Sequence, residues 1–155
     1  MLYPRGVMPA GFRPFTAAAL DLLLSFMSRL YAYDAIPFDP ARARRTAEWL
    51  AANPAHGEIR IIEVEEEPAG YLVLTACVSL EFGGPFALLD ELYIAEPWRR
   101  RGIGAQALEF AAVWARDRGF SALRLETGHD NLPAQNLYRK AGFILHDRHL
   151  MTRWL

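Results

Sequence analysis

Residues 86–118 read FALLDELYIAEPWRRRGIGAQALEFAAVWARDR: a strand-like apolar run, a turn rich in arginine and glycine, and a helical pattern, in that order. The apolar run Ala87–Ile94 ends at Glu96-Pro97-Trp98, and three arginines then lead into Gly102-Ile103-Gly104. The N–H groups at a helix start have no partner within the helix, and the helix dipole adds about half a positive charge there. This order of elements therefore predicts a binding site for an anion such as a phosphate.

The glycines and arginines of the turn add to this predicted anion site. Gly102 and Gly104 carry no Cβ atom that would hold a phosphate away from the backbone. Arg99, Arg100 and Arg101 offer guanidinium donors that suit phosphate oxygens. A basic, glycine-containing helix start without a ligand is the alternative that the turn alone leaves open.

Composition is typical of a globular protein and excludes several classes of function. The 155 residues are 52% hydrophobic and 23% charged, with a net charge of −1. One domain over residues 1–155 is expected at this length, with a loose lead-in over residues 1–11. Nucleic acid is not expected as a partner, because the basic cluster at 99–101 is only local. Cys77 is the only cysteine, so neither a disulfide within the chain nor a cysteine-based metal site is expected.

No apolar run in the sequence is long enough to span a bilayer, and the first residues do not have the layout of a signal peptide. We therefore expect a cytoplasmic protein with no membrane partner.

Hydrophobic periodicity predicts the element order β-α-α-β-β-β-α-β-α-β-β. The expected elements are an edge strand at Gly11–Phe15, a helix capped by Thr16 and ending near Asp34, a helix from Asp39-Pro40 to about Ala52, strands at Ile59–Glu65, Tyr71–Leu80 and Phe86–Ile94, a hairpin turn at Glu66–Gly70, a helix after Gly104, a strand at Ala122–Thr127, a helix at Pro133–Ala141, and strands at Phe143–His146 and His149–Trp154. This order predicts an α+β, or mixed α/β, domain in which helices flank a mostly antiparallel mixed sheet. A Rossmann fold is disfavoured, because Ala107 stands where its third glycine would be.

Together these features resemble the GNAT superfamily of acyl-CoA-dependent N-acetyltransferases. Arg99–Gly104 is similar to that family's signature Gln/Arg-x-x-Gly-x-Gly/Ala, and Leu89–Ile94 looks like its fourth strand. Asn131–Phe143 looks like its Asn-x-x-Ala…Tyr-x-x-x-Gly-Phe segment. The resemblance extends over nearly the whole chain, is strongest over residues 88–143, and is only general over the first 60 residues.

The resemblance implies an enzyme that uses acetyl-CoA as its acetyl donor. It implies that residues 99–105 bind the pyrophosphate of acetyl-CoA. It also implies that the strand around Leu92–Ile94 splays from its neighbour at a bulge, where main-chain groups hold the pantetheine arm and one N–H points at the thioester carbonyl. The residues that would bind the donor are then Leu92, Tyr93, Ile94, Arg99, Arg100, Arg101, Gly102, Ile103, Gly104, Ala105, Asn131 and Asn136.

Acylation of an amine needs an oxyanion donor, a proton acceptor and a proton source for the leaving sulfur, and backbone N–H groups can supply the first. Tyr138, which the resemblance places close to the sulfur, is the expected proton source; a packing aromatic is the alternative. Adjacent strand residues face opposite sides, so at most one of Glu91 and Asp90 should face the acceptor amine unless a bulge intervenes. We favour Glu91 as the proton acceptor, with Asp90 second. A solvated acid at the strand end is the alternative for both.

Five residues are candidates for the wall of an acceptor pocket, where aromatic faces would meet a cation. They are Tyr31, Tyr33, Phe38, Glu81 and Phe82. The expected acceptor is a primary amine of a small molecule, which attacks the thioester directly in a ternary complex. A protein or peptide N-acetyltransferase and a non-catalytic acyl-CoA-binding module are the alternatives. The apolar C-terminal strand ending at Trp154-Leu155 suggests the contact of a homodimer.

Overall fold

The computed structural model describes residues 7–155, so Met1–Gly6 of the predicted lead-in lie outside the described residues. Its strands are β1 (Ala10–Pro14), β2 (Gly57–Val64), β3 (Glu67–Ser79), β4 (Gly84–Ile94) and β5 (Leu123–Leu125). Its α-helices are α1 (Leu20–Tyr33), α2 (Pro40–Ala52), α3 (Ile103–Asp117) and α4 (Leu132–Lys140). The five strands form one sheet in chain order, antiparallel from β1 to β4 and parallel between β4 and β5. The predicted mixed, mostly antiparallel sheet with flanking helices is confirmed.

The sheet has a hydrophobic core on each face. The core shared with α1 and α2 includes Leu23, Phe26, Leu50, Ile61, Tyr71 and Tyr93. The core shared with α3 includes Ile62, Leu72, Leu74, Leu89, Ile103 and Trp114. Successive strand residues such as Ile61 and Ile62 thus bury their side chains on opposite faces, as the pleat requires.

The second helix begins as the sequence predicts, whereas the first does not. Asp39 accepts hydrogen bonds from the backbone N–H groups of Ala41 and Arg42, both at 3.0 Å, and Pro40 takes the first helical position. Thr16 makes no such bond from its side chain, and a short 3₁₀ turn, Ala17–Ala19, precedes α1. The cap predicted at Thr16 is therefore wrong, because the chain enters the helix through a tighter turn.

The hairpin between β2 and β3 turns earlier than predicted. Glu65 and Glu66 both have positive φ angles, of 53° and 68°, and β3 begins at Glu67. Two consecutive left-handed residues give the twist that two-residue hairpins favour, although glycine and asparagine are the usual residues there. The turn predicted at Glu66–Gly70 is thus displaced, and Gly70 is a paired residue of β3.

The two C-terminal strands predicted at Phe143–His146 and His149–Trp154 are wrong. Residues 143–155 contain no regular structure, and every residue after Phe143 is exposed. Apolar residues alone do not make a strand, because its backbone groups also need a neighbouring strand as hydrogen-bond partner. The segment is instead tied to the β3–β4 loop, where both guanidinium nitrogens of Arg148 donate to the carboxylate of Glu81 at 2.9 and 3.0 Å.

Candidate active site

A β-bulge in β4 determines which side chains of this strand face which helices. Val73 of β3 lies opposite Glu91, whereas the next residue, Leu74, lies opposite Leu89, so Asp90 is an additional residue without a partner in β3. Leu89 faces the core under α3, and Tyr93 faces the core under α1 and α2. In a regular strand, Glu91 would share the face of Leu89, two residues before it, but the bulge at Asp90 turns Glu91 to the opposite face, towards α1.

Glu91 lies between two tyrosines that come from different elements. The hydroxyl of Tyr31, near the end of α1, donates to Glu91 Oε1 at 2.6 Å. The hydroxyl of Tyr71, on β3, donates to Oε2 at 2.7 Å. Lengths in this range are typical of hydrogen bonds between a hydroxyl and a charged carboxylate. We call Tyr31, Tyr71 and Glu91 the tyrosine–glutamate clamp.

Burial dominates the electrostatics of the clamp. It raises the pKa of Glu91, the two tyrosine hydrogen bonds partly oppose this rise, and the negative charges of Asp90 and Asp34 add to it. The pKa of Tyr31 is also raised, first by burial and then by its bond to Glu91. A carboxyl group with a raised pKa is a better proton acceptor near neutral pH than an ordinary surface carboxylate.

Asp90, the second candidate base, has a different environment. Its side chain is exposed at the bulge. Partial desolvation by the surrounding protein, together with the negative charge of Glu126, raises the pKa of its carboxyl group. Because solvent reaches Asp90, screening limits this effect.

Beyond the bulge, β4 has an open edge. It pairs with β5 only over Ala87–Leu89, and in the chain from residue 7 onwards no strand lies beside Asp90–Ile94 on that side. The strand therefore splays from β5 where the resemblance predicts, and the residues that splay include Leu92, Tyr93 and Ile94. At the far end of the opening, the Ile94 carbonyl oxygen accepts a hydrogen bond from Arg99 Nε at 2.8 Å.

The loop from Arg99 to Gly102 leads into α3 with backbone that is unusual for non-glycine residues. Arg100 and Gly102 have φ angles of 59° and 78°, both left-handed. The first hydrogen bond into the helix is donated by Gln106 N to the Gly102 oxygen at 3.2 Å, so the N–H groups of Ile103, Gly104 and Ala105 precede it. No acidic residue lies in the first turn of α3. This helix start has the charge and the free donors that an anion needs.

The three arginines of this loop differ in what they contact. Arg99 lies over the ring of Tyr93 at 5.7 Å in addition to its bond to Ile94. Arg101 lies over the Trp98 ring at 5.2 Å. Arg100, between them, is exposed. Arg99 is thus partly engaged by the protein itself, which the sequence did not predict.

Gly104 has a packing role as well. A Cβ atom at this position would come within 2.9 Å of Leu137 Cδ2, so glycine lets α4 approach α3 closely. A groove of about 250 Å³ continues from there between α3 and α4, and Ala105, Leu137 and Lys140 are among its lining residues.

The candidates on and before α4 take separate places. Asn131 caps the helix, since its Oδ1 accepts a hydrogen bond from Ala134 N at 3.2 Å, and Asn136 is exposed. Tyr138 is half-buried and packs edge-on against Phe143, with ring centroids 6.0 Å apart. Burial and then the negative charge of Asp34 raise the pKa of Tyr138. The charge of Asp34 therefore acts on both Glu91 and Tyr138, and the end of α1 lies within electrostatic range of both.

The five predicted acceptor-wall residues separate into two groups. Tyr31 belongs to the clamp, Phe38 packs edge-on against its ring at 5.5 Å, and Tyr33 is 63% exposed with Arg99 at 6.0 Å from its ring. Tyr31 and Phe38 thus lie at the clamp, and Tyr33 lies beside Arg99.

Glu81 and Phe82 lie before β4, whose start at Gly84 is about 23 Å from Glu91 at 3.3 Å per residue. Glu81 pairs with Arg148, and Phe82 packs on Phe86 with ring centroids 5.1 Å apart. The structure does not bring them to the clamp.

Two residues that organise the site were missed in the sequence. Tyr71 appeared only as part of an apolar strand, and its partnership with Glu91 depends on the register between β3 and β4. Gln135 is 8% exposed, and its Nε2 donates to the carbonyl oxygens of Gly128 and His129 at 3.0 and 2.9 Å. A polar residue three positions before Tyr138, on the buried face of a short helix, was the available signal for Gln135. His129 contributes this backbone contact, and its side chain is exposed.

In residues 7–155, no group of three or more histidine, cysteine, aspartate or glutamate side chains is arranged to hold a metal ion. Over the same range, no helix is long and apolar enough to cross a bilayer.

Comparison with known proteins finds acetyltransferases. A model of the Acetyltransferase (GNAT) family matches residues 21–143. Streptothricin acetyltransferase of Escherichia coli is 38% identical over 66 residues, which span 43% of this chain and 38% of that protein. Aminoglycoside N(6')-acetyltransferase type 1 of Serratia marcescens is 29% identical over 128 residues, which span 72% of this chain and 88% of that protein. The chain thus matches little more than a third of the length of the streptothricin enzyme.

Solved structures share the fold over nearly the whole chain. The integron cassette protein HFX_CASS3, from the mobile metagenome of Cole Harbour Salt Marsh, superposes with a TM-score of 0.81 at 29% identity and covers 93% of this chain and 90% of its own. The aminoglycoside N-acetyltransferase AAC(6')-Iy, solved in complex with CoA, superposes with a TM-score of 0.78 at 18% identity and covers 99% of both chains.

Proposed function

Because the chain belongs to the acetyltransferase (GNAT) family, we propose that it transfers an acetyl group from acetyl-CoA to a primary amine of a cationic small molecule. The observation that carries the proposal is the position of Glu91. The bulge at Asp90 turns this half-buried acid towards α1, at the point where β4 parts from β5. A proton acceptor and an open strand edge thus lie side by side.

The residues present fit acetyl-CoA as the donor. The N-terminus of α3 offers the N–H groups of residues 103–105 and the side chain of Arg100 to a diphosphate. The splayed segment Asp90–Ile94 has backbone groups that no neighbouring strand uses. We propose that these groups hold the pantetheine arm and that one N–H stabilises the developing oxyanion.

Negative charge around the clamp supports a cationic acceptor. The negative charges of Asp90 and Asp34 help to raise the pKa of Glu91, and that of Glu126 helps to raise the pKa of Asp90. Carboxylates around an opening raise the local concentration of cations and steer them towards it. Streptothricin and aminoglycosides, named for the relatives above, are the first acceptors to test.

The difference between the pKa of a carboxyl group and that of an ammonium limits what Glu91 can do. A carboxyl pKa near 4.3 is about six units below an ammonium pKa near 10.4, so complete transfer of the ammonium proton to the carboxylate before the attack would cost about 8 kcal/mol. The raised pKa of Glu91 narrows this gap. We propose that the amine attacks in its neutral form, after losing one proton to solvent, and that Glu91 receives the second proton once the nitrogen has attacked and has become positively charged and more acidic.

Tyr138 is the proposed proton source for the leaving sulfur. A thiol with a pKa near 8.5 leaves readily as thiolate, so the help needed is modest. The charge of Asp34 reaches both Tyr138 and Glu91, which supports placing them around one opening.

Thiol release from acetyl-CoA tests the function directly. The wild-type chain is assayed against aminoglycosides, a streptothricin, polyamines and lysine-containing peptides, with Glu91→Gln in parallel. We expect release with a cationic small molecule and a large loss in the variant. Release only with peptides would point to a protein acetyltransferase. Calorimetric binding of CoA without release for any amine would point to a non-catalytic acyl-CoA-binding module.

Self-association through the C-terminal segment is a further part of this proposal. Met151, Trp154 and Leu155 are at least 82% exposed, which favours an unfilled contact surface. Light scattering of the wild type and of Trp154→Ser separates the cases: a dimer that the substitution dissociates supports this contact, and a monomeric wild type contradicts it. A cytoplasmic location stays a prediction.

A further inference from the structure

Both carboxylate oxygens of Glu91 already have tyrosine donors. Tyr31 bonds to Oε1 at 2.6 Å and Tyr71 bonds to Oε2 at 2.7 Å. Tyr71 is 0% exposed, whereas Tyr31 is half-buried at the end of α1, beside exposed Tyr33. Of the two tyrosines of the clamp, Tyr31 is therefore the one that solvent and an incoming amine can reach.

A tyrosine hydroxyl can donate one hydrogen bond and accept another at the same time. Tyr31 uses its hydrogen towards Glu91, which leaves its oxygen lone pairs for a donor on the other side. An amine nitrogen in the opening is such a donor. Tyr71 has no comparable freedom, because its hydroxyl lies within the core between β3, β4 and α1.

We propose that Tyr31 is the residue that contacts the acceptor amine and that it relays the amine proton to Glu91, while Tyr71 positions the carboxylate. This relay rests on the proposed function. It replaces direct contact between Glu91 and the amine, or transfer through a water, by a fixed hydroxyl of the protein.

The proton transfer balances as two coupled steps. After the amine nitrogen has attacked the thioester carbon, an N–H bond of the positively charged nitrogen breaks, and its proton forms a new O–H bond on Tyr31. The original Tyr31 O–H bond breaks at the same time, and that proton binds Glu91 Oε1. The nitrogen becomes neutral, Tyr31 is unchanged, and the Glu91 carboxylate becomes a neutral acid that later loses its proton to solvent.

The surroundings of Tyr31 require this coupling. Burial and the nearby carboxylates of Glu91 and Asp90 raise the pKa of Tyr31, so a free phenolate is disfavoured. The edge-on contact with Phe38 helps to hold the ring in place. Tyr31 can therefore accept one proton while it donates another, but it does not exist as a free phenolate.

The experiment compares Tyr31→Phe, Tyr71→Phe, Glu91→Gln and the double variant Tyr31→Phe/Glu91→Gln, with Arg29→Ala as an exposed control on the same helix. CoA affinity by calorimetry confirms that each variant is folded. We expect Tyr31→Phe to lower kcat about 100-fold with the KM for acetyl-CoA retained, as for loss of general acid–base help. The double variant should be no slower than the slower single variant, because the two groups act as one unit.

The dependence of kcat on deuterium separates a relay from a merely structural hydroxyl. In mixtures of H₂O and D₂O, wild-type kcat should depend on deuterium fraction along a curve, since two protons move together, and Tyr31→Phe should give a straight line. Tyr71→Phe should keep the curve, and both tyrosine variants should move the acidic limb of the kcat profile to higher pH, because each loses one bond that stabilises the carboxylate. Only the loss of curvature therefore identifies the relay residue.

The outcomes also separate the relay from the function on which it rests. A wild type that releases no CoA with any amine overturns both. An active wild type with Tyr31→Phe within twofold of its kcat, or additive losses in the double variant, overturns the relay and leaves the proposed function standing.

Discussion

Tyr71 donates its hydroxyl hydrogen to Glu91 Oε2 across 2.7 Å, from the strand next to the one that carries the acid. The bond holds an ionisable group against the core under α1 and α2, where burial raises its pKa. A protein selected for stability alone would have little reason to keep a charge there, since desolvation opposes it. The proposed role of Glu91 in the clamp therefore opposes stability.

Glu91→Gln should abolish most activity, and its stability relative to the wild type should rise as pH increases from the unfolded-state pKa of Glu91 through the folded-state pKa. The folded-state pKa of Glu91 is raised, so its contribution to stability is fully present below its unfolded-state pKa and is lost as pH rises through the folded value. Glutamine carries no such dependence. The Tm of the variant minus that of the wild type should therefore increase with pH. A difference that decreases between pH 4 and 8 would contradict the raised pKa.

Tyr138→Phe should lower kcat about tenfold or more while the KM for acetyl-CoA changes little, because the ring and its contact with Phe143 persist. Steady-state kinetics with the best amine of the panel measures both constants. The loss should be smaller with an acetyl thioester whose thiol has a lower pKa, since such a thiolate needs less protonation. Equal losses with both donors would remove Tyr138 as the acid.

Gly102→Ala should weaken binding of acetyl-CoA and cost about 1–2 kcal/mol of stability. Alanine is strained at the φ of 78°, and its Cβ would lie 3.0 Å from Val7 Cγ1. Gly119→Ala is the matched control, because Gly119 has a φ of 69° with open space around it and lies at the other end of α3. Both variants should lose stability in a denaturant titration, but only Gly102→Ala should raise KM. If the two variants had the same KM for acetyl-CoA, the loop at Gly102 would not be part of the donor site.

Arg99→Ala should mainly reduce stability, whereas Arg100→Ala should mainly weaken binding of acetyl-CoA. Arg99 bonds to the Ile94 carbonyl oxygen, so its loss should lower Tm by about 2–4 °C and loosen the open edge of β4. Arg100 is exposed at the helix start, and its loss should raise the KM for acetyl-CoA about tenfold, less so at high salt. The opposite assignment of the two effects would place the diphosphate at Arg99.

Gln135→Leu should cost about 1–3 kcal/mol, because the carbonyl oxygens of Gly128 and His129 lose their donor in a buried setting. The loop before α4 would loosen, and Tyr138 with it. Thermal unfolding should show the loss of stability, and kcat should fall more than CoA affinity. Unchanged stability would mean that water replaces the amide.

Much of the fold followed from local pattern. The Asp39-Pro40 cap, the amphipathic helix after Gly104 and the apolar β3 depend on neighbours within a few residues, so they were recognisable one segment at a time. The strands predicted after Phe143 failed for the opposite reason, since a strand exists only where another chain segment accepts its hydrogen bonds.

The candidate site likewise has features that depend on neighbouring residues and features that depend on residues far apart in sequence. The helix start at residues 99–105, with its glycines and arginines, was readable from the chain, because these features depend on the backbone next to them. Its binding of an anion stays a prediction. Which of Asp90 and Glu91 faces α1 could not be read from the chain. The bulge at Asp90 shifts the register with β3 by one residue, and this shift reverses the side-chain directions. The clamp joins residues 31, 71 and 91, which lie far apart in sequence, so only packing of α1, β3 and β4 around one core brings them together.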